Sequence, residues 1–163
     1  MCRQQKPNAS PRERSEWCSG TPRATSRGMA NAIPSIQQYM TKMPHSIGVD
    51  QKLSTAHAKM REHSIRHLPV LSGGRLVGMI TDRDLHRVET LPDVDPTKVT
   101  IEDAMTPDVH AVSPETPLED VVEAMAQHKY GSTVVMVDAH VVGIFTTVDA
   151  CRVLGELLHA RHR

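Results

Sequence analysis

Aromatic residues are almost missing from this sequence, which has one Trp, one Phe and two Tyr among 163 residues. It also lacks a surplus of charge, because 19 Lys and Arg balance 19 Asp and Glu. Nucleic acids are held by basic surface, and single strands by aromatic stacking, so neither kind of nucleic acid is an expected partner. Cysteine is scarce: Cys2, Cys18 and Cys151 are odd in number, widely spaced and without a C-x-x-C pair. That excludes a disulfide framework and a thiolate zinc site, and predicts reduced thiols in the cytoplasm. No apolar run approaches the roughly 18 residues of a membrane helix, and no apolar signal segment follows the first residues, so a soluble protein without a membrane partner is expected. A nucleophile elbow and a nucleophile-base pair are missing too, so no catalytic residue and no enzyme activity is predicted, and Cys151 is expected to be buried and inert in a helix.

Ten histidines are present, with His63 and His67 four apart. A helix end between them breaks the helical spacing, and no carboxylate or thiol completes a ligand set, so no metal site is expected. His159 and His162 fall in a frayed C-terminus, 159–163. Residues 1–32 are rich in Ser, Thr, Pro and Arg and lack apolar periodicity, which reads as a disordered basic tail. Its composition superficially resembles a transit peptide but has no amphipathic pattern, and Met29 followed by Ala30 offers an alternative translation start.

What the sequence does contain is a repeat. Shifting residues 40–84 by 65 positions lays them on 105–149 without a gap, matching Met40 with Met105, Thr41 with Thr106, Leu53 with Leu118 and Val70 with Val135. The match ends on two copies of G-x-x-T-x-x-D: Gly78, Thr81, Asp84 and Gly143, Thr146, Asp149. In the second copy, Val109, Ala111 and Val112 predict a short extended piece. Thr116-Pro117-Leu118-Glu119 then predicts a capping box with Pro at the first helical position. Leu118, Val121, Val122 and Met125 make an apolar stripe that ends at Gly131. A strand over Thr133–Val137, a turn at Asp138-Ala139-His140, a strand over Val141–Phe145 and a closing helix follow. The first copy predicts a helix over Leu53–His63, strands over His67–Leu71 and Leu76–Ile80, and a helix from Thr81. Each unit, 33–88 and 102–158, is too small to bury its own faces, so the two should share a core through their sheets, joined by a Pro- and Asp-containing linker at 89–101. Pro34–Met40 is expected to dock on the first unit and Thr100–Met105 on the second.

The tandem β-α-β-β-α units, their Met-Thr starts, the His67-Leu68-Pro69-Val70 strand and the doubled G-x-x-T-x-x-D resemble a CBS-domain pair, or Bateman module, over residues 36–155. The resemblance implies an α+β fold with pseudo-twofold symmetry, and two clefts that bind AMP, ADP, ATP or S-adenosylmethionine. It places Asp84 and Asp149 on ribose hydroxyls and Thr81 and Thr146 beside ribose or phosphate. Backbone at Ile65–Leu68 and Tyr130–Thr133 would line adenine.

Independently of any family, a carboxylate accepts two hydrogen bonds from a vicinal diol, and a helix N-terminus favours phosphate. Gly78 and Gly143 would leave room for a flat ring. Thr-x-x-Asp is equally the signature of a helix cap, which explains the Thr and Asp but not the glycine before them. Arg66, His67, Arg83 and Arg87 charge the first unit, with Arg66 and Arg83 as candidate phosphate contacts and Lys129 as a further one. Gly131, Ser132, Thr147 and Val148 stand at matching places in the second. The expected function is regulatory ligand sensing with no required cofactor, as a homodimer associating through Val153, Leu154, Leu157 and Leu158 and read by an effector protein. The alternatives are a ligand-free assembly module or an accessory subunit of another enzyme or transporter.

Overall fold

Most of the strand pairings and lead-in hydrogen bonds that fix the arrangement of the chain occur twice, 65 residues apart. The computed structural model describes residues 34–161 apart from 93 and 96, within one unit, Asn31–Arg163. The expectations for the basic tail, Met29, Cys2, Cys18 and His162 lie outside the described residues. In the first repeat, β2 (Ile47–Gly48) lies parallel to β3 (His67–Ser72), and β3 is antiparallel to β4 (Arg75–Thr81). In the second, β5 (Ala111–Val112) lies parallel to β6 (Ser132–Val137), which is antiparallel to β7 (His140–Thr146). Both hairpins shift register at the same place, between Val70 and Leu71 and between Val135 and Met136. The four helices α1 (Leu53–His63), α2 (Asp82–Glu89), α4 (Leu118–His128) and α5 (Thr147–Ala160) cover the sheets, and a short α3 (Ile101–Ala104) precedes the second repeat.

The docking of the two lead-in segments is the reverse of the expected one. Pro34–Lys42 packs on the second repeat: the Ile36 N–H donates to the Thr116 carbonyl at 3.0 Å, the Leu118 N–H to Pro34 at 2.8 Å, and β1 (Thr41–Lys42) pairs with β7. The counterpart segment packs on the first repeat: Ile101 donates to Gln51 at 2.8 Å, Leu53 to Val99 at 3.2 Å, and Thr106 bridges Met79. Ile36 and Ile101, both fully buried, complete each other repeat's core. Burying such a side chain stabilises by about 1.5–3 kcal/mol, so each repeat holds its partner's lead-in by an apolar anchor.

The swap also accounts for a helix start that is not the expected one. Pro117 stands at the N-cap of α4 without a side-chain cap, because the orphan Leu118 N–H is taken by the exchanged segment rather than by a capping box at Thr116. The inward stripe is Leu118, Val121 and Met125, with Val122 exposed. Helices α1 and α4 stop in left-handed Ser64 (φ 53°) and Lys129 (φ 58°) rather than at a glycine. There Ile65 and Tyr130 donate back to Met60 and Met125, each at 3.0 Å, in the pattern of a Schellman cap. Between the repeats, Met79, Val134 and Ile144 form a buried seam where β4 meets β7.

Candidate functional site

Both Thr-x-x-Asp elements form full capping boxes. The Thr81 N–H and hydroxyl donate to Asp84 Oδ2 at 3.0 and 2.6 Å, and the Asp84 N–H donates to Thr81 Oγ1 at 3.3 Å. At Thr146 and Asp149 the same three bonds measure 2.9, 2.8 and 3.4 Å. The Asp82 N–H donates to Arg66 and the Thr147 N–H to Gly131, so part of each helix N-terminus is spent inside the fold instead of being offered to phosphate. The two carboxylates differ at the other oxygen. Asp149 Oδ1 accepts from Arg152 Nη2 at 2.8 Å, whereas Asp84 Oδ1 has no partner among the described residues.

The glycines have a different neighbour from the expected one. A Cβ on Gly78 would lie 3.0 Å from the Thr106 carbonyl oxygen and 3.1 Å from Met105 Cγ, and one on Gly143 would lie 2.9 Å from Met40 Cγ. The space before each glycine is filled by the methionine of the exchanged segment, not left for a ring. Gly131 likewise admits His67, whose Nε2 would be 3.1 Å from a Cβ there.

A cleft of about 900 Å³ opens between the repeats. One wall is Arg61, Ser64, Ile65, Arg66, His67 and Asp82 of the first repeat; the other is Ile144, Thr146, Val148 and Asp149 with the Thr41–His45 segment, whose β1 pairs with β7. Of the sequence-predicted residues, Arg66 and His67 are thus brought together with Thr146 and Asp149, from the opposite repeat. Thr81, Asp84, Arg83 and Ser132 do not line this cleft. They are the counterparts, by the 65-residue shift, of Thr146, Asp149, Val148 and His67. The cations of the first repeat are therefore divided rather than gathered in one place. Lys42, Arg61 and Arg66 give the described cleft its positive charge, against Asp82 and Asp149.

A family model described as CBS domain matches residues 36–90 and 101–156. The chain belongs to the CBS domain family. It is 30% identical over 111 residues to hypoxic response protein 1 of Mycobacterium tuberculosis, covering 68% of this chain and 78% of that one. It is 29% identical over 122 residues to inosine-5'-monophosphate dehydrogenase of Korarchaeum cryptofilum, where it spans only 24% of that enzyme's length. Among solved structures, the CBS domain pair of protein MJ0100 in complex with 5'-methylthioadenosine and S-adenosyl-L-methionine superposes with a TM-score of 0.68 at 28% identity, covering 76% of this chain and 98% of that one. The α+β fold of a tandem CBS pair expected from the sequence is therefore the fold observed.

Several residues around the CBS cleft carry no obvious signal in a single repeat but do in the pair. His45 and His63 match His110 and His128 in register. The first two stack with ring centroids 3.8 Å apart at the cleft rim. In the second CBS repeat, Tyr130 lies between His110 and His128, at 4.9 and 5.2 Å. Burial lowers the pKa of His110 below the usual histidine value, with His128 acting in the same direction, and its Nδ1 contacts Thr133 Oγ1 at 2.9 Å. His67 is also held below its usual pKa, first by burial and then by Arg66, with Asp84 and Asp82 opposing. Being close to Gly131 and to Asp84 while lining the Asp149 cleft, His67 sits at the seam between the two halves. Cys151, expected to be buried, is exposed on α5. No group of three metal-ligating side chains occurs among the described residues, and none of their helices is long and apolar enough to cross a membrane.

Proposed function

We propose that this CBS pair is a regulatory module that takes an adenine nucleotide or S-adenosylmethionine into the inter-repeat cleft and passes on the resulting change of shape. The observation that carries the reading is the cleft itself. It has the volume of a ligand pocket, is built from both repeats, and combines a carboxylate at a helix start with Arg66, Arg61 and Lys42. The carboxylate suits a ribose and the cations a phosphate chain. Because the walls come from different repeats, a ligand touching both favours one relative placement of the halves over another, as any shift of a conformational equilibrium requires. The adenosine compounds bound by the MJ0100 pair support the same ligand class. An effector protein would read the change, and the module would act as a homodimer through α5.

Thermal melts with AMP, ADP, ATP and S-adenosylmethionine test this. A bound ligand at 100 times Kd contributes about 2.7 kcal/mol, and Asp84→Ala combined with Asp149→Ala is expected to remove that stabilisation. No rise in melting temperature with any of the four at millimolar concentration rejects the sensor. The second reading, a ligand-free assembly module, is favoured by one specific observation. The same Thr-x-x-Asp cap recurs at Thr100 and Asp103, with the Thr100 N–H donating to Asp103 Oδ2 at 3.1 Å, away from the cleft lining.

A further inference from the structure

The geometry points to two ribose sites of different specificity, the Asp84 site reading a vicinal diol and the Asp149 site a single hydroxyl, with Arg152 as the residue that sets the difference. This rests on the nucleotide reading above and refines it. An ionised carboxylate has about four acceptor positions, two on each oxygen. In both repeats Oδ2 is filled by the N–H and the hydroxyl of the capping threonine. What remains for a ligand is Oδ1. On Asp84 both Oδ1 positions are open among the described residues, which suits the two hydroxyls of a ribose. On Asp149 one position is occupied by Arg152 Nη2 at 2.8 Å, and the same nitrogen lies 3.5 Å from the Tyr39 carbonyl oxygen. One hydroxyl can still be accepted there.

The difference is a property of the chain and not of the repeat unit. Arg152 corresponds to Arg87 and both side chains are exposed, yet only Arg152 bonds to its aspartate. Asp149 is buried while Asp84 is half-buried, so the arginine, itself 59% exposed, occupies one acceptor position of a carboxylate that has few other approaches. The ligand class that follows is a ribonucleotide for the Asp84 site. The Asp149 site would take ribo- and 2'-deoxyribonucleotides almost alike.

The test compares AMP with 2'-deoxy-AMP by calorimetric titration of the full chain. Asp84→Asn and Asp149→Asn each leave one site, and Asn keeps the size and one carbonyl acceptor for the cap. The Asp149→Asn protein is expected to lose about tenfold or more in affinity for the deoxy ligand, the worth of one charge-assisted hydrogen bond, and the Asp84→Asn protein less than about threefold. Adding Arg152→Gln to Asp84→Asn frees the second acceptor and is expected to bring the tenfold discrimination back, a change that a merely structural role for Arg152 does not produce. Equal discrimination at the two sites, or no effect of Arg152→Gln, overturns this inference while leaving nucleotide sensing intact. No binding of either nucleotide to the unmutated chain overturns both.

Discussion

At the residue scale, the two faces of one side chain decide what the Thr-x-x-Asp signature means. Oδ2 of Asp84 and of Asp149 serves the fold, closing a cap, and only Oδ1 is left for chemistry. The sequence made both roles legible because a cap and a diol site need the same residue types. It could not show the Arg152 contact, since an arginine three residues along a helix is exposed whether or not it bonds back to the aspartate, and Arg152 and Arg87 differ only in that bond. His67 carries a further prediction. Burial and Arg66 keep it neutral, below the ordinary value of 6.5, against the pull of Asp84 and Asp82. Its contribution to folding is therefore complete above about pH 6.5 and is lost as the pH falls through the lowered value, since the unfolded chain then binds the extra proton. A ligand phosphate beside it would favour the protonated form, so ATP affinity is expected to rise as the pH falls from 7 towards 5.5. His67→Gln should flatten that profile, and titration calorimetry across the range checks it.

At the element scale, strands and helices were legible almost to their ends because each apolar pattern occurs twice and the turns carry their own signals, such as Gly73 and Gly74 at positive φ. The exchange of the lead-in segments was not legible. Ile36 and Ile101 fit either core by composition, and only the hydrogen bonds to Thr116 and Gln51 decide between them. The doubled glycine was the sign of that exchange, read as space for a ligand ring when it is space for a crossing methionine. Gly78→Ala is expected to cost about 1–3 kcal/mol through overpacking, because a Cβ 3.0 Å from the Thr106 carbonyl oxygen pushes on backbone that is itself bonded to Met79. Gly155→Ala is the control. Nothing lies within 4 Å of its Cβ position in α5, so it should gain about 0.5–1 kcal/mol from helix propensity. Urea unfolding midpoints of the two variants should move in opposite directions.

At the scale of the whole molecule, the two halves share a fold but not a surface. None of the exposed large apolar side chains among the described residues lies on α1 or α2, whereas Val122 lies on α4 and Leu154, Leu157 and Leu158 on α5. Val153, expected in the same stripe, instead packs into the second core at 6% exposure, so the outward face is narrower than its sequence suggested. Leu154, Leu157 and Leu158, at i, i+3 and i+4, form one patch. Scattered exposed leucines need no explanation, but a contiguous apolar patch on one half only favours a self-complementary contact of second repeat with second repeat. Such a contact must bury on the order of 1,000 Å² or more to persist. Leu154→Glu with Leu158→Glu places four like charges across that twofold and is expected to yield a monomer in sedimentation while the AMP titration stays unchanged, because neither residue lines the cleft. An unmutated chain that already sediments as a monomer rejects the dimer. A double variant that loses nucleotide binding along with assembly would mean that the clefts depend on the second copy.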